Sequence, residues 1–143
     1  MENRDKYLIN IANLADIARN NKWEIEYDSD IDSFYWSKPQ ISKQAQLMKL
    51  SSDFALYVTP SGNIEGVFIE YAKNNFVEHN EKFEPLFDNL ERVDENKFTL
   101  SSEKQEKFSG LLESMANMIS SETLSNVLGN GLSIQQAFQA SGA

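Results

Sequence analysis

The chain of 143 residues has no cysteine and a single histidine. Without cysteine it cannot form disulfide bonds, thiolate nucleophiles or thiolate metal sites. No apolar run approaches the roughly 20 residues that a membrane-spanning helix requires. The first residues also lack the basic and then apolar pattern of a secretory signal peptide. We therefore expect a cytoplasmic protein that does not associate with membranes.

Positive charge is scarce as well. Lysine and arginine together number 13, against 22 aspartates and glutamates, which gives a net charge of −9. Such a chain repels nucleic-acid phosphates and anionic lipids unless its few cations cluster, and the sequence holds no basic run. This charge balance argues against direct nucleic-acid binding, and a protein partner with a basic surface fits it better.

The composition is otherwise that of a folded domain. Hydrophobic residues make up 41% of the chain and aromatic residues 11%, whereas disordered segments are poor in both. The length lies within the usual range for one domain, so we expect residues 1–143 to form a single unit.

The N-terminal part predicts a helix and then a strand. Apolar residues at spacings of three and four predict a helix over residues 5–20. The period then changes to two, because Trp23, Ile25 and Tyr27 alternate with acidic residues. This alternation predicts a half-buried strand with an acidic outer face, continued by a turn at Asp28-Ser29-Asp30.

The region 22–72 predicts a β-meander. Its clearest feature is a hairpin, in which residues 54–59 and 64–71 flank a turn at 60–63 and Gly62 takes a positive φ. A shorter strand is expected around residues 34–36, and residues 46–50 fit either a strand or a short helix.

The region 73–140 predicts helices, apart from residues 98–100, which fit either a short strand or a connection. Pro85 should divide the first of them into two pieces and lie in the first turn of the second. Ser102 and Gln105 have the spacing of a capping box that opens a longer helix. A shorter helix follows, and a last one carries Ile134 and Phe138. The expected fold class is α+β: an N-terminal helix, a four- to five-stranded mostly antiparallel meander, then three to four helices packed on one face.

Asp28, Asp30 and Asp32 have the alternate spacing of a calcium loop. The sixth position of such a loop requires glycine and the twelfth glutamate, but the chain has Ser33 and Pro39 there. An acidic turn between two strands explains the three aspartates better, so we expect neither a metal nor a cofactor.

No catalytic constellation is evident. His79 lacks a nucleophile or acid partner at a suitable spacing, and a solvent-facing helix residue is the simpler interpretation. Glu65 and Glu70 are five residues apart, so on an ideal strand they face opposite sides unless a bulge at Gly66 shifts the phase.

Two stretches resemble a known family. The stretch from Tyr27 to Trp36 has a Tyr-Asp pair, an acidic turn and an Asp-x-Phe-Tyr strand, and residues 61–70 contain Gly-Asn-Ile-x-Gly-Val-x-Ile. Residues 27–72, about a third of the chain, resemble the DUF2283 family of small bacterial proteins in these motifs. The chain departs from the family pattern at two positions: it has Phe34 where the family usually has leucine, and Trp36 where the family has an aliphatic residue. The resemblance implies a compact antiparallel meander followed by a helix, and it carries no activity to transfer.

These observations favour a non-enzymatic interaction module of the immunity, antitoxin, inhibitor or adaptor type that binds a protein partner. The alternatives are a small-ligand binder or an enzyme using Glu70, His79 and a carboxylate in a cleft between sheet and helices, and a subunit of a homo-oligomer such as a dimer. The expected partner-binding residues are the acidic strand and turn and two apolar anchors: Glu24, Glu26, Asp28, Asp30, Asp32, Ile134 and Phe138.

Overall fold

Seven antiparallel strands form one sheet in the structure, a computed structural model that describes residues 4–129 and their side chains as far as residue 126. Across the sheet the strands lie in the order β3-β4-β5-β2-β1-β7-β6. The strands are β1 (Glu24–Asp28), β2 (Ser33–Ser37), β3 (Gln46–Lys49), β4 (Phe54–Val58), β5 (Ile64–Glu70), β6 (Glu91–Arg92) and β7 (Lys97–Leu100).

The sheet differs from the predicted meander in two ways. Strand β5 pairs with β2, so β3 lies at one edge instead of beside β2. Strands β6 and β7 extend the sheet beyond β1. A short strand was one of two predictions for residues 98–100, and β7 confirms it, whereas β6 was not predicted. The second difference has a clear cause: Phe98 and Leu100 lie opposite Tyr27 and Ile25 and cover apolar surface that β1 would otherwise expose.

Helices pack on one face of this sheet. The α-helices are α1 (Arg4–Ala12), α2 (Leu14–Asn20), α3 (Glu84–Asp88), α4 (Ser102–Lys107) and α5 (Ser109–Gly129), and a π-helical segment (Ala72–Val77) and a 3-10 turn (Glu81–Phe83) precede α3. Among these described helices, none combines the length and the apolar character needed to cross a membrane.

The helix boundaries correct several predictions. A turn at Asn13 divides the predicted helix over residues 5–20 into α1 and α2, and the side-chain amide of Asn13 donates to the Ile9 carbonyl, which also accepts from the Asn13 backbone amide. Pro85 lies in the first turn of α3, as predicted. The helix cap is Ser101 and not Ser102, since the hydroxyl of Ser101 accepts from the amide of Lys104.

The C-terminal helices also differ from expectation. The longer and the shorter helix predicted before Gly129 are joined in one helix, α5, which packs against α1 and α2. The longer helix is interrupted instead at Phe108, which separates α4 from α5. The last predicted helix, with Ile134 and Phe138, lies outside the described residues.

The core follows from the period-two alternation of the strands. Trp23, Ile25 and Tyr27 are buried while Glu24 and Glu26 are exposed, which confirms the predicted acidic outer face of β1. The buried side chains of the other strands meet those of the helices in one cluster that runs from Ile11 to Ile119. Each large apolar side chain buried in this way contributes about 1.5–3 kcal/mol. The alternate residues of β1, β2 and β4 point the other way and form the open face of the sheet, together with the alternate residues of β5 that follow its bulge.

Candidate binding groove on the open face of the sheet

The floor of a groove crosses the open face where two small residues lie side by side. Tyr57, Gly66, Ser37 and Glu24 are successive cross-strand neighbours on β4, β5, β2 and β1. A Cβ atom built on Gly66 would lie 2.5 Å from the Cβ of Ser37, so only glycine fits at this position. The two small residues leave a depression between the tyrosine and the glutamate.

A second row of side chains runs parallel to the first. Thr99, Glu26, Tyr35 and Phe68 are cross-strand neighbours on β7, β1, β2 and β5. The rings of Tyr35 and Phe68 lie 5.1 Å apart between their centres, a spacing typical of packed aromatic pairs. The row therefore joins an aromatic pair directly to a carboxylate.

One wall of the groove is the loop of residues 38–45, which Glu65 holds in place. Glu65 is the extra residue of a β-bulge between β4 and β5. The bulge lies next to Gly66, where the sequence analysis allowed for one that would change which face of the sheet Glu65 points to. Its carboxylate accepts from the amide of Ser42 at 2.7 Å and from the Ser42 hydroxyl at 2.7 and 2.8 Å. The ammonium of Lys38 lies 3.4 Å from the same carboxylate.

These contacts set the ionisation of Glu65. Burial alone raises the pKa of this carboxyl, but the hydrogen bonds from Ser42 and the charge of Lys38 outweigh it and hold the pKa below its usual value. The loop is thus fastened to the sheet by an ionised side chain that is only 7% exposed. Pro39 and Ile41 of the fastened loop line the groove.

The opposite wall is the β6–β7 hairpin, which contributes Val93, Lys97 and Thr99. Between the two walls the groove has a volume of about 560 Å³. Val93 is 65% exposed at the rim, although it is apolar. The groove is open to solvent and large enough to accept several side chains of a partner.

The β1 side of the groove is negative. Glu24, Glu26 and Asp28 project from one face of β1, and the neighbouring strand offers the single cation Lys97. The ammonium of Lys97 lies 3.6 Å from the carboxylate of Glu26, and both side chains are about half exposed, so the pair is weak. Lys97 does not reach Glu24, whose carboxylate forms no ion pair with the described side chains.

The tyrosines of the groove stay neutral at physiological pH. Burial raises the pKa of Tyr35, and the charges of Asp28 and Glu26 raise it further. Burial also raises the pKa of Tyr57, with a contribution from Tyr35. Both hydroxyls are therefore available as hydrogen-bond donors and acceptors, and neither is activated as a base.

The structure divides the predicted acidic residues into three groups. Glu24 and Glu26 lie in the groove, and Asp28 lies on the same face of β1. Asp30 is exposed in the turn. Asp32 was predicted to join this acidic surface, but it is buried and bonded to Tyr27, so it has no part in a surface contact. The apolar anchors Ile134 and Phe138 lie outside the described residues.

The structure also shows what the three turn aspartates do. A carboxylate oxygen of Asp28 accepts from the amide of Asp30, which is the chemistry of an acidic turn. The side chain of Asp32 points inward and caps the segment that begins at Ala72. Within residues 4–129, no three histidine or acidic side chains are grouped closely enough to hold a metal ion.

The residues of the alternative enzyme hypothesis do not converge. Glu70 is exposed and follows the buried Ile69 on β5, which places it on the open face. His79 is exposed behind the π-helical segment on the helical side, where its Nδ1 lies 2.8 Å from the carbonyl oxygen of Asn75. The groove, moreover, lies on the uncovered face of the sheet and not between sheet and helices.

Sequence reasoning missed Tyr57, Lys38 and Ile41. Alternation along β4 offered a signal for Tyr57, because Phe54, Leu56 and Val58 occupy the buried face and leave residue 57 on the other. The loop of residues 38–45 carries no comparable pattern, since a long-range contact with Glu65 positions it.

No family model, no curated protein and no solved structure matches the chain. The resemblance of residues 27–72 to DUF2283 therefore stays a prediction from the sequence.

Proposed function

We propose that this protein is a non-enzymatic interaction module that binds a protein partner in the groove on the open face of its sheet. The observation that supports this most is the groove itself, in which Glu24 and Glu26 adjoin the half-buried rings of Tyr35 and Tyr57. Tyrosines are enriched in protein interfaces because they offer a large apolar area and a polar tip.

The groove suits recognition because rigid elements hold most of its side chains. Glu24, Glu26, Tyr35 and Tyr57 all project from paired strands, and Glu65 fastens the loop that forms one wall. A preformed surface loses little conformational entropy on binding, which favours affinity. The carboxylates favour a partner with a basic surface, whose approach the net charge of −9 accelerates.

Several features argue against catalysis at this site. The tyrosine pKa values are raised, so the phenolate forms that could act as bases or nucleophiles are even scarcer at neutral pH than in free tyrosine. The single histidine lies on the helical side of the molecule, away from the groove.

A small-ligand binder is the second candidate, and one observation favours it. A volume of about 560 Å³ falls within the range of roughly 300–1,000 Å³ that is typical of ligand pockets. Ligand pockets, however, are concave and mostly apolar, whereas this groove carries several charged side chains, among them Glu24, Glu26 and Lys97.

Site-specific crosslinking in native-host cells tests the proposal. The photoreactive residue p-benzoylphenylalanine replaces Val93, which is 65% exposed at the groove rim, and in a matched control it replaces Ile9, which is 61% exposed on α1. We expect Val93 to yield one crosslinked protein species that Ile9 does not yield.

The same experiment is repeated in a protein that carries both Glu24→Gln and Glu26→Gln. Loss of the crosslinked species there confirms that the partner binds in the groove. Equal crosslinking from both positions, or a Val93 product that is indifferent to the two glutamates, would show that the groove is not the binding site. A product absent from both positions under native expression would contradict the interaction module.

A further inference from the structure

From the layout of the groove we infer that its partner presents an extended segment that lies across the strands, with an arginine at the β1 side and an apolar side chain four residues away at the β4 side. This inference rests on the proposed function and specifies the chemistry of its ligand. It follows from three features of the groove: the arrangement of its carboxylates, the composition of its far end, and its width.

The β1 side has the arrangement that a guanidinium group requires. Glu24 and Glu26 are two residues apart on one face of the strand, so their Cβ atoms are separated by roughly 7 Å. Guanidinium has five donors in one plane and can bridge two carboxylates at such a separation. Tyr35 lies directly opposite Glu26 on β2, where its ring offers a surface for the flat face of the cation.

The resident cation does not fill this site. Lys97 reaches only Glu26, at 3.6 Å, and leaves Glu24 without an ion pair within the described side chains. An ammonium group cannot form the planar bidentate contacts of a guanidinium group. An incoming arginine thus gains the unpaired carboxylate of Glu24 and the ring of Tyr35, and it replaces one weak, half-exposed ion pair.

The β4 side has a different composition. Tyr57 is flanked there by Pro39 and Ile41 of the loop, and the negative charge of the nearby Glu65 is already matched by Ser42 and Lys38. A partner side chain at this end meets apolar surface and no uncompensated carboxylate. Leucine, phenylalanine or a similar side chain suits this position.

The distance between the two ends fixes the spacing on the partner. From β1 to β4 the sheet spans three interstrand steps of about 4.8 Å, or roughly 14 Å in total. An extended chain covers about 3.3 Å per residue, so four residues span roughly 13 Å. An even number also leaves both side chains on the same side of the segment, facing the groove.

Synthetic heptapeptides test this ligand directly. The first is acetyl-Gly-Arg-Gly-Ser-Gly-Phe-Gly-amide, in which arginine and phenylalanine are four residues apart. Two relatives carry citrulline or lysine in place of the arginine, and a third moves the phenylalanine so that the spacing is three. Dissociation constants come from amide shift changes in two-dimensional NMR of the complete chain, titrated to millimolar peptide.

We expect the first peptide to shift the amides of Tyr35, Ser37 and Gly66. The citrulline peptide should bind about tenfold more weakly, because it keeps the shape of arginine and loses its charge. The lysine and spacing-three peptides should also bind more weakly, by about threefold or more. In the Glu24→Gln, Glu26→Gln protein, the arginine and citrulline peptides should bind equally.

Equal binding of the arginine and citrulline peptides to the wild-type protein, equal binding at spacings of three and four, or no groove shifts with any peptide would each overturn the inference. Lysine binding as tight as arginine binding would overturn the assignment of arginine. None of these results affects the crosslinking at Val93. The crosslinking experiment therefore tests the proposed function independently of the peptide titrations.

Discussion

The phenol oxygen of Tyr27 lies 2.5 Å from a carboxylate oxygen of Asp32, and both side chains are buried. The same carboxylate accepts from the backbone amides of Lys73 at 2.9 Å and Asn74 at 3.0 Å. Asp32 thereby joins β1, the β1–β2 turn and the start of the π-helical segment. Its positive φ of 51° is a conformation that aspartate tolerates better than most residues.

Replacing Tyr27 with phenylalanine removes one of three donors to this buried carboxylate. We expect the free energy of unfolding to fall by about 1–3 kcal/mol, because a buried charged acceptor loses a partner without gaining water. Urea denaturation of Tyr27→Phe measures the loss, and Tyr71→Phe, which removes a hydroxyl from a 58% exposed side chain, serves as the control. Equal midpoints for the two variants would show that the bond to Asp32 contributes nothing.

Glu65→Gln should loosen the loop of residues 38–45. The amide of the new side chain places a donor against the amide of Ser42 and the ammonium of Lys38, so about 1–3 kcal/mol of stability should be lost. Hydrogen exchange at the Ser42 amide should accelerate as well. Glu70→Gln, an exposed change on the same strand, is the control. An unchanged exchange rate at Ser42 would contradict the role of Glu65 as the fastening of the loop.

The ionisation of Glu65 predicts how this difference depends on pH. Since folding lowers its pKa, the stabilisation is fully present above the ordinary glutamate pKa of about 4.3 and is lost as the pH falls through the folded value. The stability gap between wild type and Glu65→Gln should be constant above pH ~5 and shrink below pH ~4. Burial raises the pKa of Glu122, so this residue makes the protein less stable as the pH rises. Its contribution is the same in wild type and in Glu65→Gln, and it therefore cancels in the difference between their stabilities. A gap that widens on acidification would contradict this account.

Gly62 sets the turn of the β4–β5 hairpin, as its φ of 90° requires. Gly62→Val should therefore lower the stability by about 1–3 kcal/mol, because a β-branched side chain is strained in that conformation. The turn also docks on α1, where the side-chain amide of Asn10 donates to the Gly62 carbonyl at 2.9 Å. Gly110→Ala is the matched control, since a Cβ there meets open space on α5, and it should stabilise by about 0.5–1 kcal/mol. Thermal melts of the two variants should shift in opposite directions.

The sequence predicted those parts of the fold that local patterns determine. The alternation around Ile25 placed β1 and its acidic face correctly, and the residues around Gly62 placed the hairpin. The order of the strands was not predictable in the same way. The pairing of β5 with β2 and of β7 with β1 depends on contacts between residues far apart in sequence, such as Ile25 and Leu100.

The candidate site was predicted only in part, because some of its residues follow a local pattern and others depend on contacts between residues far apart in sequence. Glu24 and Glu26 follow from the period of one strand, whereas the fate of Asp32 depends on amide donors from Lys73 and Asn74, some 40 residues later. An acidic turn written as Asp-x-Asp-x-Asp offers no local indication that its last carboxylate points inward. The wall of the groove likewise depends on Glu65, which a bulge turns toward the loop.

The most direct test of the groove as the binding site is the affinity of the partner captured at Val93. Calorimetry at low and physiological salt should compare three proteins. They are the wild type, a groove variant with both Glu24→Gln and Glu26→Gln, and a control variant with both Glu78→Gln and Glu81→Gln, which removes two exposed charges from the helical side. We expect the groove variant to bind at least about tenfold more weakly at low salt and to lose most of its salt dependence, with the control within about twofold of wild type. Equal affinities for the groove variant and wild type at low salt would contradict the account.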